Sequence, residues 1–181
     1  MQIGFIGVGN MARAIIDGLL TAKTVQGSDL HLHSGHIEHY GSYAEKIGAH
    51  VEDDNGAVVR HSDVVILAVK PNIYGRVLDV IKQNFADKQV LLVSIVSGVT
   101  IAELGKHLPA GQPVLRLLPN LNVAIDQGMT AYAMNDEAVD LVGDTFNLFK
   151  SIGQLMEMPE ADFSTFVALA GSAPAFAYLF I

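Results

Sequence analysis

The residues best equipped to do chemistry sit near the N-terminus, in Gly7-Val8-Gly9-Asn10-Met11-Ala12. This G-x-G-x-x-A run follows a short apolar segment, Gln2 to Ile6, and precedes apolar residues at Met11, Ile15, Leu19 and Ala22. The first spacing suits a strand and the second a helix. Gly7 permits a tight turn, and Gly9 lets backbone amides approach a diphosphate without a Cβ in the way. Ala12 allows close helix–strand packing, and the helix N-terminus supplies positive potential for an anion. A glycine pair alone is weak evidence, but this strand–turn–helix setting is the one a dinucleotide requires.

Which dinucleotide is bound depends on the end of the second strand, where a carboxylate would bond a ribose 2′-hydroxyl and repel a 2′-phosphate. The chain has His33-Ser34-Gly35-His36 there, with no carboxylate before Glu38. Ser34 can donate to phosphate oxygens, and His36 adds charge when protonated. The site therefore leans towards NADP(H) with NAD left open, since no arginine is present and the histidines equally suit a solvated loop. Three further turns fall where strands end, the edge at which such sheets bind ligands. They are Ala68-Val69-Lys70-Pro71, Ser94-Ile95-Val96-Ser97-Gly98 and Leu118-Pro119-Asn120. Lys70 either meets the cofactor or caps its turn, Ser97 and Gly98 bring backbone near a nicotinamide, and Asn120 offers a donor and an acceptor.

The histidines are His31, His33, His36, His39, His50, His61 and His107. Strand alternation puts His31 and His33 on one face, yet no Asp, Glu or Cys close in sequence completes a tetrahedral set, so no metal site is expected. Cysteine is absent, which excludes disulfides, thiolate ligands and a cysteine nucleophile. No residue stands out as a general acid.

These turns need a scaffold, and the chain supplies strands and helices in alternation. Strands are expected at 2–6, 29–33, 63–69, 89–94, 114–118 and 130–134. A polar helix ends near Gly48, and Pro71 opens another that runs to about Phe85. DVVILAV (63–69) is nearly all β-branched or aliphatic, as in a parallel strand buried on both faces. The fold class is α/β, a Rossmann-like domain with a mostly parallel sheet. The pattern changes at Pro159, after which Phe163, Phe166, Val167, Leu169 and Ala170 leave little polar face. The division expected is a dinucleotide-binding domain at 1–158 and the first segment of an all-helical domain at 159–181.

Composition narrows the rest. Of 181 residues, 50% are hydrophobic and 17% charged, with 11 Lys+Arg against 19 Asp+Glu. Disorder is excluded by that apolar content. Nucleic-acid binding is excluded by a net charge of −8 and the lack of any basic run. MQIGFIG has neither the basic region nor the long apolar stretch of a signal peptide. The apolar end from Phe163 is broken by Gly171, Ser172 and Pro174 and preceded by Glu160 and Asp162, so no membrane span is expected.

At these motifs the chain resembles the pyrroline-5-carboxylate reductase family along essentially its whole length. The likeness runs through IGFIGVGNMARAII, Asp53-Asp54-Asn55, DVVILAVKP, VSIVSGVTI, RLLPNLNVAIDQGMTA and LAGSAPAFAYLFI. The first motif is shared with β-hydroxyacid dehydrogenases; the combination of the others is more specific. The resemblance implies NAD(P)H-dependent reduction of 1-pyrroline-5-carboxylate to L-proline, in the cytoplasm, by a homodimer or larger homo-oligomer. It implies cofactor contacts at Ile6, Gly7, Val8, Gly9, Asn10, Met11, Ser34, Asn55, Ala68, Val69, Lys70, Pro71, Ile95, Val96 and Ser97, with Asn120 beside the reacting ring. Three departures stand out. The family's arginine after the second strand is replaced by Gly35, its Pro-Asn-Thr-Pro by Pro119-Asn120-Leu121-Asn122, and its Ser-Gly-Ser-Gly-Pro by Ala170-Gly171-Ser172-Ala173-Pro174. The family's later Pro-Gly-Gly-Thr-Thr segment does not occur, so the chain is expected to be an N-terminal portion of such an enzyme. Two alternatives remain: a dinucleotide-binding module without catalysis, and a dehydrogenase of the β-hydroxyacid type. The latter needs a lysine in its second domain, and none follows Lys150.

Overall fold

The computed structural model describes residues 1–173, 176, 179 and 180. Residues 174, 175, 177, 178 and 181, which belong to the last apolar block, lie outside the described residues.

The chain builds β1 (Ile3–Ile6), α1 (Asn10–Thr21), β2 (Leu30–His33), α2 (Gly41–Ile47), β3 (His50–Val51), α3 (Asn55–His61), β4 (Val64–Leu67), α4 (Tyr74–Asp87), β5 (Leu91–Ser94), α5 (Ile101–Gly105), β6 (Val114–Leu118), β7 (Gly128–Met134), α6 (Gly143–Ser151), β8 (Gly153–Glu157) and α7 (Phe163–Phe166). The strands form one sheet in the order β3-β2-β1-β4-β5-β6-β7-β8. Among the described residues, only the β6–β7 pairing is antiparallel. The connection between them, residues 119–127, is shorter than the dozen or so residues a parallel crossover needs, so the chain folds straight back. Asp126, at φ 59°, makes the reversal after the turn Leu121–Ile125.

Burial on both faces explains the composition of the central strands. Val64 and Ile66 of β4 pack with Ile15, Ile16 and Leu19 of α1. Val65 and Leu67 point the other way, into Leu78, Ile81 and Phe85 of α4. Each such side chain removed from water contributes about 1.5–3 kcal/mol, so the alternation along β4 fixes both helical layers at once. A smaller cluster joins Leu118 and Ala131 to Phe163 and Phe166, seating the segment after Pro159 on β6 and β7.

The α/β class and the mostly parallel sheet agree with expectation. Pro71 does not open α4: it lies in a turn, and the helix begins three residues later at Tyr74. The short elements α3, α5, β3 and β8 were not anticipated, and neither was α6. Asp54 starts α3 by accepting from the Ala57 amide at 2.6 Å. Thr100 and Glu103 start α5 as a reciprocal capping box.

Candidate functional site

β1 lies between β2 and β4, so the strand order reverses there and the turns after these strands diverge around a crevice. Gly7 holds the crevice together. Its amide donates to the His33 carbonyl at 2.8 Å, linking the ends of β1 and β2. Its φ is +95°, and a Cβ there would lie 2.6 Å from the Ala68 carbonyl oxygen at the end of β4. Only glycine satisfies both demands. Gly9 is different: a Cβ built on it would meet nothing within 4 Å. It is the N-cap of α1, with no side-chain cap and no acidic residue in the first turn. The first amides of α1 therefore face open space, as an anion requires.

The crevice holds a cavity of about 510 Å³. Of the predicted contacts, Ile6, Gly7, Val8, Gly9, Ser34, Asn55, Ala68, Val69 and Lys70 line it, and His33, Gly35 and His36 complete the β2 side. Arg76 lines the same cavity, with Ile73 and Val77. The sequence around Ser34 does not reveal Arg76, because Arg76 arrives from the first turn of α4, 42 residues later. The signal available was that α4 follows the Lys70-Pro71 turn directly. No carboxylate lines this cavity. Glu38 is exposed; a backbone hydrogen bond, with attraction to His36 and His39, holds its carboxyl below the usual range.

A second hollow of about 280 Å³ gathers Met11, Ile95, Ser97 and Asn120 with Leu118, Pro119, Phe166, Val167 and Gly171. Asn120 accepts from the Met129 amide at 3.2 Å and donates to the Ala170 carbonyl at 3.1 Å. Its amide group thus ties the start of β7 to the segment after α7. A third hollow, about 400 Å³, shares Ser97 and Leu118 and is floored by Arg116, Glu160 and Phe163. Arg116 is buried, donates to Glu160 at 2.6 Å and lies 4.5 Å from the Phe163 ring centre. Asn10, Pro71 and Val96 line none of these three. Asn10 and Pro71 are exposed, and Val96 is buried in the core beneath β5.

The expectation that no carboxylate joins the β2 histidines needs correcting. β3 pairs with β2 and carries Glu52 to within 2.6 Å of His31, with His61 of α3 on the same oxygen at 2.9 Å. Twenty-one residues separate His31 from Glu52, too far for local spacing to reveal. Burial works to raise the Glu52 carboxyl, but hydrogen bonds from His61 and His31 outweigh it and hold the group below the usual range.

Comparison with known proteins places this geometry. The family described as NADP oxidoreductase, coenzyme F420-dependent, matches residues 2–98. A pyrroline-5-carboxylate reductase from Staphylococcus saprophyticus is 31% identical over 98% of the chain and 66% of its own length. The crystal structure of 1-pyrroline-5-carboxylate reductase from Streptococcus pyogenes superimposes with a TM-score of 0.86 at 33% identity, covering 99% of this chain and 66% of that one. The Plasmodium falciparum pyrroline carboxylate reductase with NADP bound gives 0.85 at 27% identity, over 99% and 66%. The chain thus spans about two thirds of the length of the relatives it matches. Among the described residues, no helix is long and apolar enough to cross a membrane.

Proposed function

Because the chain belongs to the NADP oxidoreductase, coenzyme F420-dependent family, we propose that it is the nucleotide-binding part of a reductase that converts 1-pyrroline-5-carboxylate to L-proline with NADPH. The observation that carries this reading is the crevice at Gly7. The uncapped amides of α1 face the open space beside Gly9, and the turns after β1, β2 and β4 meet in one cavity. These residues fit a dinucleotide diphosphate, since a Cβ at Gly9 would fill the cradle that a phosphate needs.

When bound, NADPH supplies a hydride for the imine carbon, with a proton joining the ring nitrogen. The chain's own residues bind and shelter. The first amides of α1 hold the diphosphate. Ser34, Lys70 and Arg76 gather donors and positive charge at one cavity, and no carboxylate lines it to repel a 2′-phosphate directly. That balance favours NADP over NAD. Met11, Ile95, Leu118, Phe166 and Val167 make the neighbouring hollow apolar and exclude water from it. Asn120 positions the wall of that hollow through its two backbone bonds. The remaining predicted contacts, Asn10, Pro71 and Val96, act through backbone or by shaping the turns. Residues 1–158 form the dinucleotide domain and 159–181 the first segment of a helical one, supported by the change at Pro159. The homo-oligomer and the cytoplasmic location come from the resemblance alone.

The test is an NADPH-oxidation assay with 1-pyrroline-5-carboxylate and chemical detection of proline. It uses a protein that carries this chain together with the remaining third of the relatives' length. Oxidation dependent on the imine is expected. Cofactor binding without it would leave a nucleotide-binding module and overturn the reductase reading.

A further inference from the structure

We propose that His31, Glu52 and His61 form a site for one divalent transition-metal cation of the zinc type, at the β2–β3 edge of the sheet and outside the nucleotide cavity. The sheet register brings them together. His31 is paired with His50 across β2 and β3, so Glu52, two residues further on, returns to the face of His31. α3 packs on that face and ends at His61, whose ring meets the same carboxylate.

The geometry is close to what a cation needs. Glu52 Oε1 lies 2.6 Å from His31 Nδ1 and 2.9 Å from His61 Nδ1. One ligand atom from each residue falls within 4.8 Å of the others. Zinc bonds of about 2.0–2.2 Å place tetrahedral donors about 3.3 Å apart. The three ligand atoms, 2.6 Å to at most 4.8 Å apart, bracket that spacing, so side-chain rotations are what must bring them to it. His31 already has the outer partner that metal-bound imidazoles have: its Nε2 is 2.8 Å from Gln2 Oε1. With Nε2–H held on Gln2, the proton that Nδ1 shares with Glu52 is the one a cation displaces, which frees Nδ1 to ligate. The His50 ring stacks on His31 at 4.9 Å and limits its tilt.

Accessibility is graded in a useful way. The side chains of His31 and Glu52 are each 11% exposed, whereas His61 is 52% exposed. Two ligands are thus fixed by packing, and the third closes from the solvent side, leaving a fourth position to water. Two imidazoles and one carboxylate suit zinc, nickel or copper rather than magnesium or calcium, which take oxygen ligands. Neither His31, Glu52 nor His61 lines the nucleotide cavity, so the site is structural: it clamps the short strand β3 and the end of α3 onto β2.

Zinc chloride titrated calorimetrically into the metal-free chain tests this. One saturable site per chain is expected, with proton release measured in buffers of different ionisation enthalpy. His61→Ala removes an exposed ligand without disturbing the core and should weaken binding at least tenfold; Glu52→Gln should do the same. His39→Ala, an exposed histidine outside the cluster, should change nothing. Zinc should raise the melting temperature of the parent and of His39→Ala, but not of His61→Ala. Absence of a saturable site, or affinity unchanged by His61→Ala, would overturn the proposal.

Discussion

Arg116 of β6 and Glu160, one residue after Pro159, form an ion pair of 2.6 Å whose arginine side chain is only 5% exposed. The same Glu160 oxygen accepts from the Ile101 amide at 3.0 Å, at the start of α5. One carboxylate therefore joins β6, α5 and the segment leading to α7. The Phe163 ring under the guanidinium excludes water from the arginine side.

Arg116→Met should destabilise the chain by about 2–3 kcal/mol, less than a fully buried pair would lose because Glu160 retains contact with water. Urea unfolding of Arg116→Met, Glu160→Gln and the double variant measures it. A coupling of about 1–2 kcal/mol is expected for residues in one network. Additive effects would show that the two residues act independently.

The sequence revealed long elements and the glycine turn, because their signals are local. β4 is legible from its unbroken apolar run, and Gly7 from its neighbours. Contacts made by register were not legible. Glu52 meets His31 only because β3 pairs with β2, and β3 has just two residues. Arg76 reaches the crevice from α4, whose start Pro71 misplaced by three residues. Arg116 sits in an apolar strand with its partner 44 residues away, so nothing nearby marked it as paired.

Glu103 gives a pH prediction. Hydrogen bonds from the Thr100 amide at 2.7 Å and the Thr100 hydroxyl at 2.8 Å hold its carboxyl below the usual range. A lowered folded pKa means that the unfolded chain takes up the proton first as pH falls. The stabilisation is thus complete above the unfolded value, about 4.3, and is lost as pH drops through the folded one. Glu103→Gln should melt below the parent at neutral pH, and the gap should narrow in acid. A gap independent of pH would disprove the link.

Gly7 and Gly9 should differ in whether an added side chain costs stability as well as binding. Gly7→Val strains a φ of +95° and collides with the Ala68 carbonyl, so the melting temperature should fall together with binding. At Gly9 an added Cβ meets nothing within 4 Å, so Gly9→Val should change stability by less than about 1 kcal/mol. NADPH affinity should nevertheless fall at least tenfold, because the new side chain occupies the diphosphate cradle. Fluorescence titration and thermal melting of both variants separate the two effects. Undiminished binding by Gly9→Val would remove this turn from the cofactor site.

In the proposed nucleotide site, Arg76 supplies the positive charge that the end of β2 lacks. It shares a cavity with Ser34 and His36, and it is exposed enough to swing towards a phosphate. A charge-assisted hydrogen bond of this kind contributes about 1.5–3 kcal/mol. Arg76→Ala should therefore weaken NADPH about tenfold to a hundredfold while leaving NADH nearly unaffected. The loss should shrink as salt is raised, since a partly exposed ion pair is screened. Equal losses for both nucleotides would mean that Arg76 contacts the portion they share, and the proposed preference for NADP would then rest on Ser34 and the absent carboxylate.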